Sequence, residues 1–270
     1  MQANAELRVA IAGLGAIGQI IARALDKGIP GLRLSAVAVR DETKAQTFLA
    51  GLVRPVPIVP LAALAHNADI VTECAPAALL AQIAEPVLGA GKKLIVLSCG
   101  ALLANPQLEG IAKRTGAQII VPTGALIGLD AVTAAAEGKI ESVRLVTRKP
   151  IAGLLGAPFL VENNIDISGI AAPLKIFSGT AREAAKGFPA NLNVAVALSL
   201  AGIGPDRTQV EIWADPTVTR NTHRIEVESD SARFSMTIEN IPSENPRTGR
   251  ITPLSVIALL RRIGAPIRVG

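Results

Sequence analysis

The first half of the chain alternates between short aliphatic runs and longer segments with helical periodicity. Short apolar runs bounded by glycine or proline are typical of buried strands, and apolar residues three and four positions apart predict amphipathic helices. The predicted strands are LRVAIA (7–12), LRLSAVAVR (32–40), ADIVTECAP (68–76), KKLIVLSCG (92–100) and AQIIVPTGA (117–125). Strands that alternate with helices predict right-handed crossovers and a doubly wound parallel sheet, which is a Rossmann-type α/β fold.

The second half has a different rhythm. Helical periodicity appears at 128–138, after the capping-box pair Thr180 and Glu183, and again in a pattern that Pro189 restarts. The strand-like runs are 140–150, 173–181, 208–216, 223–230 and 232–242. This order predicts a smaller α+β domain with a mainly antiparallel sheet. The predicted division is 1–124 for the first domain and 125–251 for the second, with a C-terminal helix (252–270) that packs back on the first.

Composition favours a sheet that is buried on both faces. Half of the residues are hydrophobic but only 2% are aromatic; tyrosine is absent and Trp213 is the single tryptophan. The core is therefore filled mainly by Ala, Val, Ile and Leu, as in a parallel sheet covered by helices. A length of 270 residues fits one large domain or two modest ones.

The formal net charge of +5 predicts attraction of anionic ligands. Nucleic acid is not expected, because no helix face carries a Lys/Arg cluster and few aromatic residues are present to stack on bases. The N-terminus lacks a signal-peptide pattern, and the most apolar stretch (192–204) is too short to cross a bilayer. We therefore expect a cytoplasmic protein without membrane contacts. Cys74 and Cys99 are expected to be reduced, and their spacing predicts no metal site.

The motif GLGAIG (13–18) lies between the first predicted strand and a helix. Gly13 allows a tight turn, Gly15 lets a pyrophosphate approach the backbone, and Gly18 lets the helix pack closely on the sheet. The helix start, with Ala16 and Ile17, offers free N–H groups and the positive end of the helix dipole to phosphates. The alternative is a glycine-rich connection without a ligand, but the strand–turn–helix context favours a dinucleotide.

Three further loops follow predicted strands, at the sheet edge where such a fold binds its ligand. Their residues are candidate cofactor contacts, although each loop could also be an ordinary strand-to-helix turn. The candidates are Cys74 and Ala75 in the first loop, Ser98 and Gly100 in the second, and Ala125 in the third.

The end of the second strand bears on the choice between NAD and NADP. An acidic residue at this position usually binds the adenosine ribose of NAD, but here the sequence is Val39-Arg40-Asp41. Arg40 can stack on adenine or meet a 2′-phosphate, or be a solvated surface arginine, and Asp41 stands one position late for the ribose. Both cofactors therefore remain candidates.

The chain contains two histidines, His66 and His223. His66 lies at a predicted helix end and is most simply a surface residue or cap. His223 is predicted to begin a strand after a polar Asn-Thr corner. An unperturbed imidazole has a pKa of about 6.5, which suits proton transfer near neutral pH. Spacing alone leaves two interpretations of His223 open, a catalytic base aimed at an interdomain cleft and a structural histidine on a sheet face.

Taken together, segments of both halves resemble the L-aspartate dehydrogenase family, and the resemblance covers essentially the whole length of the sequence. The glycine motif is generic, whereas the segments in the second half are much more specific. The matching segments are GLGAIG (13–18), ECA (73–75), LSCGAL (97–102), PTGALIGLDAV (122–132), TRKP (147–150), FPANLNVAVALSLAG (188–202), NTHRIEV (221–227) and IPSENPRTGRIT (241–252).

The resemblance implies a function and specific roles. It implies oxidation of L-aspartate with NAD or NADP to iminoaspartate, which hydrolyses to oxaloacetate and ammonia and in some bacteria is thought to feed NAD biosynthesis. His223 matches the histidine regarded as catalytic, and Ala125 and Asn193 match positions that contact the dinucleotide. A homodimer formed through the second domain is expected from the family plan and from the exposed edges of a small sheet.

A dicarboxylate substrate needs cations and hydrogen-bond donors for its two carboxylates. Candidates are Lys149 and a predicted turn that carries Asn245, Arg247 and Thr248. The alternative for Lys149 and Arg247 is an ordinary surface charge.

Other functions were weighed against this one. Sugar dehydrogenases of the same two-domain plan usually carry Glu-Lys-Pro, with the lysine in catalysis, where this chain has Ser98-Cys99-Gly100. Homoserine dehydrogenase is an architectural relative, but its lysine-rich catalytic segment is not found. A non-enzymatic dinucleotide sensor stays open because a fold does not fix a function.

Overall fold

The computed structural model describes residues 6–189, 192–243 and 249–269. The chain forms two compact units. The first comprises the residues up to Pro122 and those from Pro253 onward, and the second comprises Thr123–Thr252.

The first unit is built on a parallel sheet. Its strands are β1 (Leu7–Ala12), β2 (Leu32–Ala38), β3 (Ile70–Glu73), β4 (Lys93–Val96) and β5 (Gln118–Ile120). They lie in the order β2-β1-β3-β4-β5, and each neighbouring pair is parallel. The central strands are fully buried because aliphatic side chains cover both of their faces. The predicted Rossmann-type doubly wound sheet is confirmed.

Helices connect these strands. They are α1 (Ala16–Lys27), α2 (Glu42–Leu49), α3 (Leu64–Asn67), α4 (Leu80–Gly89) and α5 (Gln107–Thr115). In the described part of the first unit, short 3-10 helices lie at Leu61–Ala63, Ala77–Leu79 and Cys99–Ala104.

A proline-rich segment lies beside β2 and takes the place of a further strand, which the sequence did not predict. Val37 forms a parallel bridge with Ile58, through hydrogen bonds from its N–H to the Pro57 carbonyl and from the Val59 N–H to its own carbonyl. Prolines at positions 55, 57 and 60 have no N–H to donate, which limits the pairing to this one bridge. With this segment the sheet has the strand order of a dinucleotide-binding fold, whose direction of winding reverses between β1 and β3.

The second unit is built on a mixed sheet. Its strands are β6 (Ile140–Lys149), β7 (Leu174–Thr180), β8 (Gln209–Ala214), β9 (Asn221–Ser229) and β10 (Arg233–Asn240). Their order is β10-β9-β6-β8-β7, and the β6–β8 pair is parallel while the other pairs are antiparallel. The mainly antiparallel character predicted for this sheet is confirmed.

Helices bury one face of this sheet. They are α6 (Leu129–Ala136), α7 (Pro158–Glu162), α8 (Ala181–Gly187) and α9 (Asn193–Ala201). The core consists of aliphatic residues such as Val143, Leu145 and Ile225, together with Phe188. The capping box of Thr180 and Glu183 is present at the start of α8, as predicted.

Two local expectations were wrong. His223 does not begin its strand, because the preceding Asn221 and Thr222 already belong to β9 and pair with Asn240 and Glu239 of β10. The polar side chains of Asn221 and Thr222 do not prevent strand pairing, because the hydrogen bonds between strands are made by the backbone. The second error concerns α9, which begins at Asn193 and not at Pro189.

The last helix, α10 (Ile251–Gly264), contributes to the core of the first unit through Val256 and Leu260. The close approach is also seen at Gly264, where an added Cβ would lie 2.8 Å from the carbonyl oxygen of Pro30. Within the part of the chain that the structure describes, no helix has the length and apolar character needed to span a membrane.

Candidate functional site

The glycine turn after β1 is closely packed at two of its glycines and open at the third. Gly13 has a φ of +99°, and a Cβ there would lie 2.6 Å from the carbonyl oxygen of Cys74. A Cβ on Gly18 would overlap the carbonyl oxygen of Gly13. In contrast, a Cβ on Gly15 would meet nothing within 4 Å. The turn therefore leaves open space at the position where a phosphate must approach the backbone.

This open position lies at the N-terminus of α1. Gly15 is the N-cap residue and has extended backbone angles, and no side chain caps the helix there. Ala16 and Ile17 form the first turn, so their backbone N–H groups point out of the helix end. Unfilled donors and the positive end of the dipole fit a pyrophosphate, and the residues present are therefore compatible with a dinucleotide.

The loops after β3 and β4 carry the next candidates. Cys74, Ala75, Ser98 and Gly100 are all half-buried at the carboxyl edge of the sheet. The Cys74 N–H donates to the carbonyl of Ala12 at 2.8 Å, so the loop after β3 lies against the glycine turn. Burial raises the pKa of the Cys74 thiol well above its usual value, which makes it an unreactive thiol rather than a nucleophile.

A buried carboxylate that the sequence patterns did not predict lies at this edge. Glu73 is the last residue of β3 and is 1% exposed. It accepts hydrogen bonds from the N–H groups of Ala75 (3.0 Å), Leu97 (3.2 Å) and Ser98 (2.8 Å), and from the Ser98 hydroxyl (3.1 Å). Burial raises the pKa of Glu73, although these hydrogen bonds act in the opposite direction. The signal was available, since a charged residue ends an otherwise aliphatic strand.

The two residues at the end of β2 that bear on the cofactor, Arg40 and Asp41, differ in their surroundings. Arg40 is exposed, which is compatible both with a 2′-phosphate contact and with a surface arginine. Asp41 is the N-cap of α2, and its Oδ1 accepts a hydrogen bond from the Lys44 N–H at 3.0 Å. Its carboxylate therefore already has a structural role.

In the second unit, polar side chains gather at one end of the helix-covered sheet face. We call Thr147, Lys149, Asn221, His223 and Asn240 the polar cluster. All five are buried. Strand periodicity and register place them on the same face, because His223 lies opposite Thr147, Asn240 lies opposite Asn221, and the other positions are two residues away. The rest of this face is aliphatic, so the cluster is a localised polar site.

His223 is a neutral imidazole in this environment. Its Nδ1 lies 3.0 Å from the Thr147 hydroxyl oxygen, and the side chain is 2% exposed. Burial, and then the nearby charge of Lys149, lower the pKa of His223 to about 3. The value of about 6.5 used in the sequence argument is therefore wrong for this conformation, because that value describes a solvated ring.

Lys149 ends β6 and is 3% exposed, so the alternative of a surface charge is wrong. Burial lowers the pKa of Lys149 to about 8. At neutral pH the ammonium is still mostly charged, but it titrates far closer to neutrality than a solvated lysine. A poorly solvated cation of this kind attracts carboxylates strongly, since fewer water molecules compete for its charge.

Asn240 connects the cluster to the loop after β5. Its Nδ2 donates to the carbonyl of Ala125 at 3.0 Å, and within the described parts of the chain its buried Oδ1 has no hydrogen-bond partner. Ala125 is one of the predicted dinucleotide contacts. The other such residue in this unit, Asn193, is half-buried in the first turn of α9.

The sequence analysis missed Thr147, Asn221 and Asn240 as members of a site. The first two lie within the segments TRKP and NTHRIEV that carried the resemblance, so the signal was partly present. Asn240 gave no local signal, because its position is set by strand pairing. Asn245, Arg247 and Thr248 lie outside the described residues, and their predicted substrate contacts stay predictions.

The chemistry of the two units is complementary. The first offers a helix N-terminus and open space to phosphates. The second offers one buried cation, a neutral base and amide groups, which together can bind a small anion and accept a proton.

Two family models match the chain. Residues 13–122 match the model described as homoserine dehydrogenase, NAD binding domain. Residues 130–263 match the model described as aspartate dehydrogenase, C-terminal.

Curated relatives match over nearly the full length. An L-aspartate dehydrogenase of Bradyrhizobium diazoefficiens is 68% identical, and the match covers 99% of this chain and 95% of that protein. L-aspartate dehydrogenase 3 of Bordetella bronchiseptica is 64% identical, with 100% of both chains covered.

Solved structures show the same fold at low identity. An aspartate dehydrogenase of Thermotoga maritima has a TM-score of 0.71 at 23% identity, covering 98% of this chain and 100% of that chain. A scyllo-inositol dehydrogenase of Lactobacillus casei has a TM-score of 0.58 at 14% identity, covering 97% and 87%. These similarities establish the fold alone.

The glycine turn gives a prediction about folding. Gly18→Ala is expected to lower the free energy of unfolding by about 2 kcal/mol or more, because its methyl group overlaps the carbonyl of Gly13. Gly15→Ala is the matched control, with open space around the new methyl group, and we expect it to cost less than about 1 kcal/mol. Chemical denaturation measures both values, and equal losses would contradict the assigned packing.

Proposed function

The chain belongs to the aspartate dehydrogenase family, and from this premise we propose that it oxidises L-aspartate to iminoaspartate with NAD or NADP. Iminoaspartate then hydrolyses to oxaloacetate and ammonia. The observation that carries the proposal is the buried pair of Lys149 and His223, a cation next to a neutral base. This is the pair of groups that oxidation of an anionic amine requires.

The residues of the first unit suit the cofactor. Gly15 and the first turn of α1 would hold the pyrophosphate, in a turn whose shape depends on the close packing at Gly13 and Gly18. The loops after β3 and β4 would contact the rest of the dinucleotide. Ala125 and Asn193 are proposed contacts from the second unit. When bound, the cofactor accepts the hydride from the substrate α-carbon.

Lys149 is the proposed partner of a substrate carboxylate. Its buried ammonium contacts little water. A carboxylate that binds beside it therefore interacts with a charge that water screens only weakly. Burial is the main cause of the low pKa of His223 and the charge of Lys149 is the second, and a carboxylate next to Lys149 would offset this second cause. Substrate binding therefore makes the imidazole a stronger base at the moment when a proton must be accepted.

His223 is the proposed catalytic base. The α-amino group of aspartate arrives protonated and must lose that proton before the hydride can leave the α-carbon. A neutral imidazole accepts it, and once that proton has been released to solvent the same ring can activate the water that attacks the imine. The Thr147 hydroxyl, 3.0 Å from Nδ1, orients the ring.

A sugar substrate is less well supported. The similarity to an inositol dehydrogenase concerns the fold, and the loop that usually carries Glu-Lys-Pro in sugar dehydrogenases here contains Ser98-Cys99-Gly100. Nothing in these small residues replaces the lysine, whereas Lys149 lies on a strand of the other unit.

The exposed face of the second sheet supports a homodimer. This face carries Arg144 and Arg224 beside Glu211 and Glu226, with Trp213 among them. Alternating charges of both signs are self-complementary when two copies meet around a twofold axis. A half-buried tryptophan at the centre of such a face is a typical anchor of an interface.

The supply of iminoaspartate to NAD biosynthesis and the cytoplasmic location stay predictions from the sequence.

The activity is tested by following the absorbance of the reduced cofactor with L-aspartate and NAD or NADP, with D-aspartate, L-glutamate and L-homoserine as controls. We expect the cofactor to be reduced with L-aspartate and with none of the three control amino acids. The rates with NAD and with NADP are compared in the unaltered protein and in Arg40→Ala. A loss of rate with NADP alone in the variant would show that Arg40 favours NADP. His223→Ala should fold and bind dinucleotide but lose about 10²- to 10⁴-fold in kcat.

His66→Ala is the matched control for His223→Ala. His66 is exposed on the short helix α3, and its loss should leave kcat unchanged. Near-normal turnover by the His223 variant would overturn its role. Silence with every amino acid would overturn the proposed reaction.

The role of Lys149 predicts a pH effect on inhibition by succinate, which has both carboxylates of the substrate and no amine. Succinate should bind well below pH 8 and weaken about tenfold per pH unit above it, because Lys149, whose pKa is lowered to about 8, loses its charge there. In this range His223 stays neutral and succinate stays fully ionised, so neither disturbs the profile. The measurement is the competitive inhibition constant against L-aspartate at several pH values.

Lys149→Met supplies the control for the succinate profile. Its inhibition constant should be high and independent of pH. A pH-dependent inhibition constant in this variant would assign the effect to another group.

The homodimer predicts that Trp213→Glu gives monomers, since a new charge would be buried at the centre of the interface. Sedimentation velocity measures the mass. Val161→Glu, at an exposed apolar position on α7, is the control and should leave the mass unchanged. A single-chain mass for the parent protein would contradict the dimer.

A further inference from the structure

We propose that Glu73 is a positioning residue for the dinucleotide, holding the loops after β3 and β4 in the conformation that receives the half of the cofactor beyond the glycine turn. The inference rests on the proposed cofactor binding. It assigns Glu73 no contact with the reacting atoms.

The contacts of Glu73 join two separate loops. Oε1 accepts from the Ala75 N–H in the loop after β3 and from the Ser98 hydroxyl, at 3.0 and 3.1 Å. Oε2 accepts from the N–H groups of Leu97 and Ser98 in the loop after β4, at 3.2 and 2.8 Å. One carboxylate therefore fixes the backbone of both loops relative to each other.

The position of Glu73 in the sheet explains why this matters for a ligand. Glu73 pairs with Ala12 on one side and with Val96 on the other. It thus lies between the strand that leads into the glycine turn and the strand that leads into Ser98. The winding of the sheet reverses at β1 and β3, and ligands of doubly wound sheets bind across this point at the carboxyl edge.

An ionised carboxylate suits this task better than a neutral side chain. It accepts all four hydrogen bonds, whereas an amide has one accepting oxygen and directs its NH₂ group at another donor. The charge-assisted bonds are also stronger than neutral ones. Burial of the carboxylate costs free energy, and its four donors offset part of this cost.

The strands do not need Glu73 for their own order. β1, β3 and β4 are joined by backbone ladders, and their aliphatic side chains are buried except for Leu7 at the start of β1. The carboxylate acts on the loops beyond the strand ends. Its loss should therefore weaken ligand binding more than it weakens the fold.

The test compares Glu73→Gln with Thr72→Val. Thr72 is the preceding residue of β3, is fully buried, and its hydroxyl has no hydrogen-bond partner in the described part of the chain. We expect Glu73→Gln to raise the dissociation constant of NAD or NADP about tenfold, measured by calorimetry, and to lower kcat while the KM for L-aspartate at saturating cofactor stays unchanged. Thr72→Val should change none of these. Wild-type cofactor affinity and kcat in Glu73→Gln would overturn the inference.

Glu73→Asp and hydrogen exchange decide the matter where Glu73→Gln does not fold. Aspartate keeps the charge but is one methylene too short to reach both loops, so cofactor affinity should again fall. In the unaltered protein, the amide protons of Ala75, Leu97 and Ser98 should exchange slowly before any dinucleotide is added. Exchange as fast as in an exposed loop, or wild-type affinity in Glu73→Asp, would overturn the inference. If the unaltered protein binds no dinucleotide, the proposed cofactor itself fails and the inference fails with it.

Discussion

The chemistry of the second unit depends on the burial of an ammonium group and an imidazole at one end of an otherwise aliphatic sheet face. Loss of hydration lowers the pKa of Lys149 to about 8 and contributes most to lowering that of His223 to about 3. The same physical cause thus leaves one group cationic and the other neutral at physiological pH. In the proposed reaction, a substrate carboxylate would meet the cation and the substrate amine its proton acceptor in one place.

The sheet makes this arrangement possible. β6 and β9 are antiparallel neighbours, so Thr147 and His223 lie directly opposite each other and Lys149 follows two residues later on the same face. Side chains on paired strands have little freedom to move apart, which keeps the imidazole near both the hydroxyl and the ammonium. Burying a charge in this way opposes folding, and the aliphatic core formed by the rest of the face offsets it. Stability is given up locally where binding needs a poorly solvated cation.

Sequence patterns were sufficient for the fold because aliphatic runs and helical spacing are local properties. They were also sufficient for the glycine turn, whose residues lie next to one another. They did not reveal the strand-like segment around Ile58, which pairs with Val37 of β2, because the prolines in this segment are unfavourable in strands. Nor did they reveal Asn240, which joins the cluster through its pairing with Asn221, or the low pKa of His223, which depends on burial. Contacts between distant segments carry this information, and a single sequence does not display them.

The low identity among proteins that share this fold shows where function is decided. An inositol dehydrogenase has the same architecture at 14% identity, so the aliphatic pattern sets the fold with little regard to chemistry. In this chain the candidate chemistry is concentrated in a few polar residues near strand ends. The loop after β4 in this chain carries Ser98, Cys99 and Gly100 and no lysine, and its backbone donates to Glu73. The buried lysine lies instead at the end of β6, beside the base. A cation beside a neutral base is what the proposed oxidation of an anionic amine needs, and the pairing of β6 with β9 brings both to one face of the sheet.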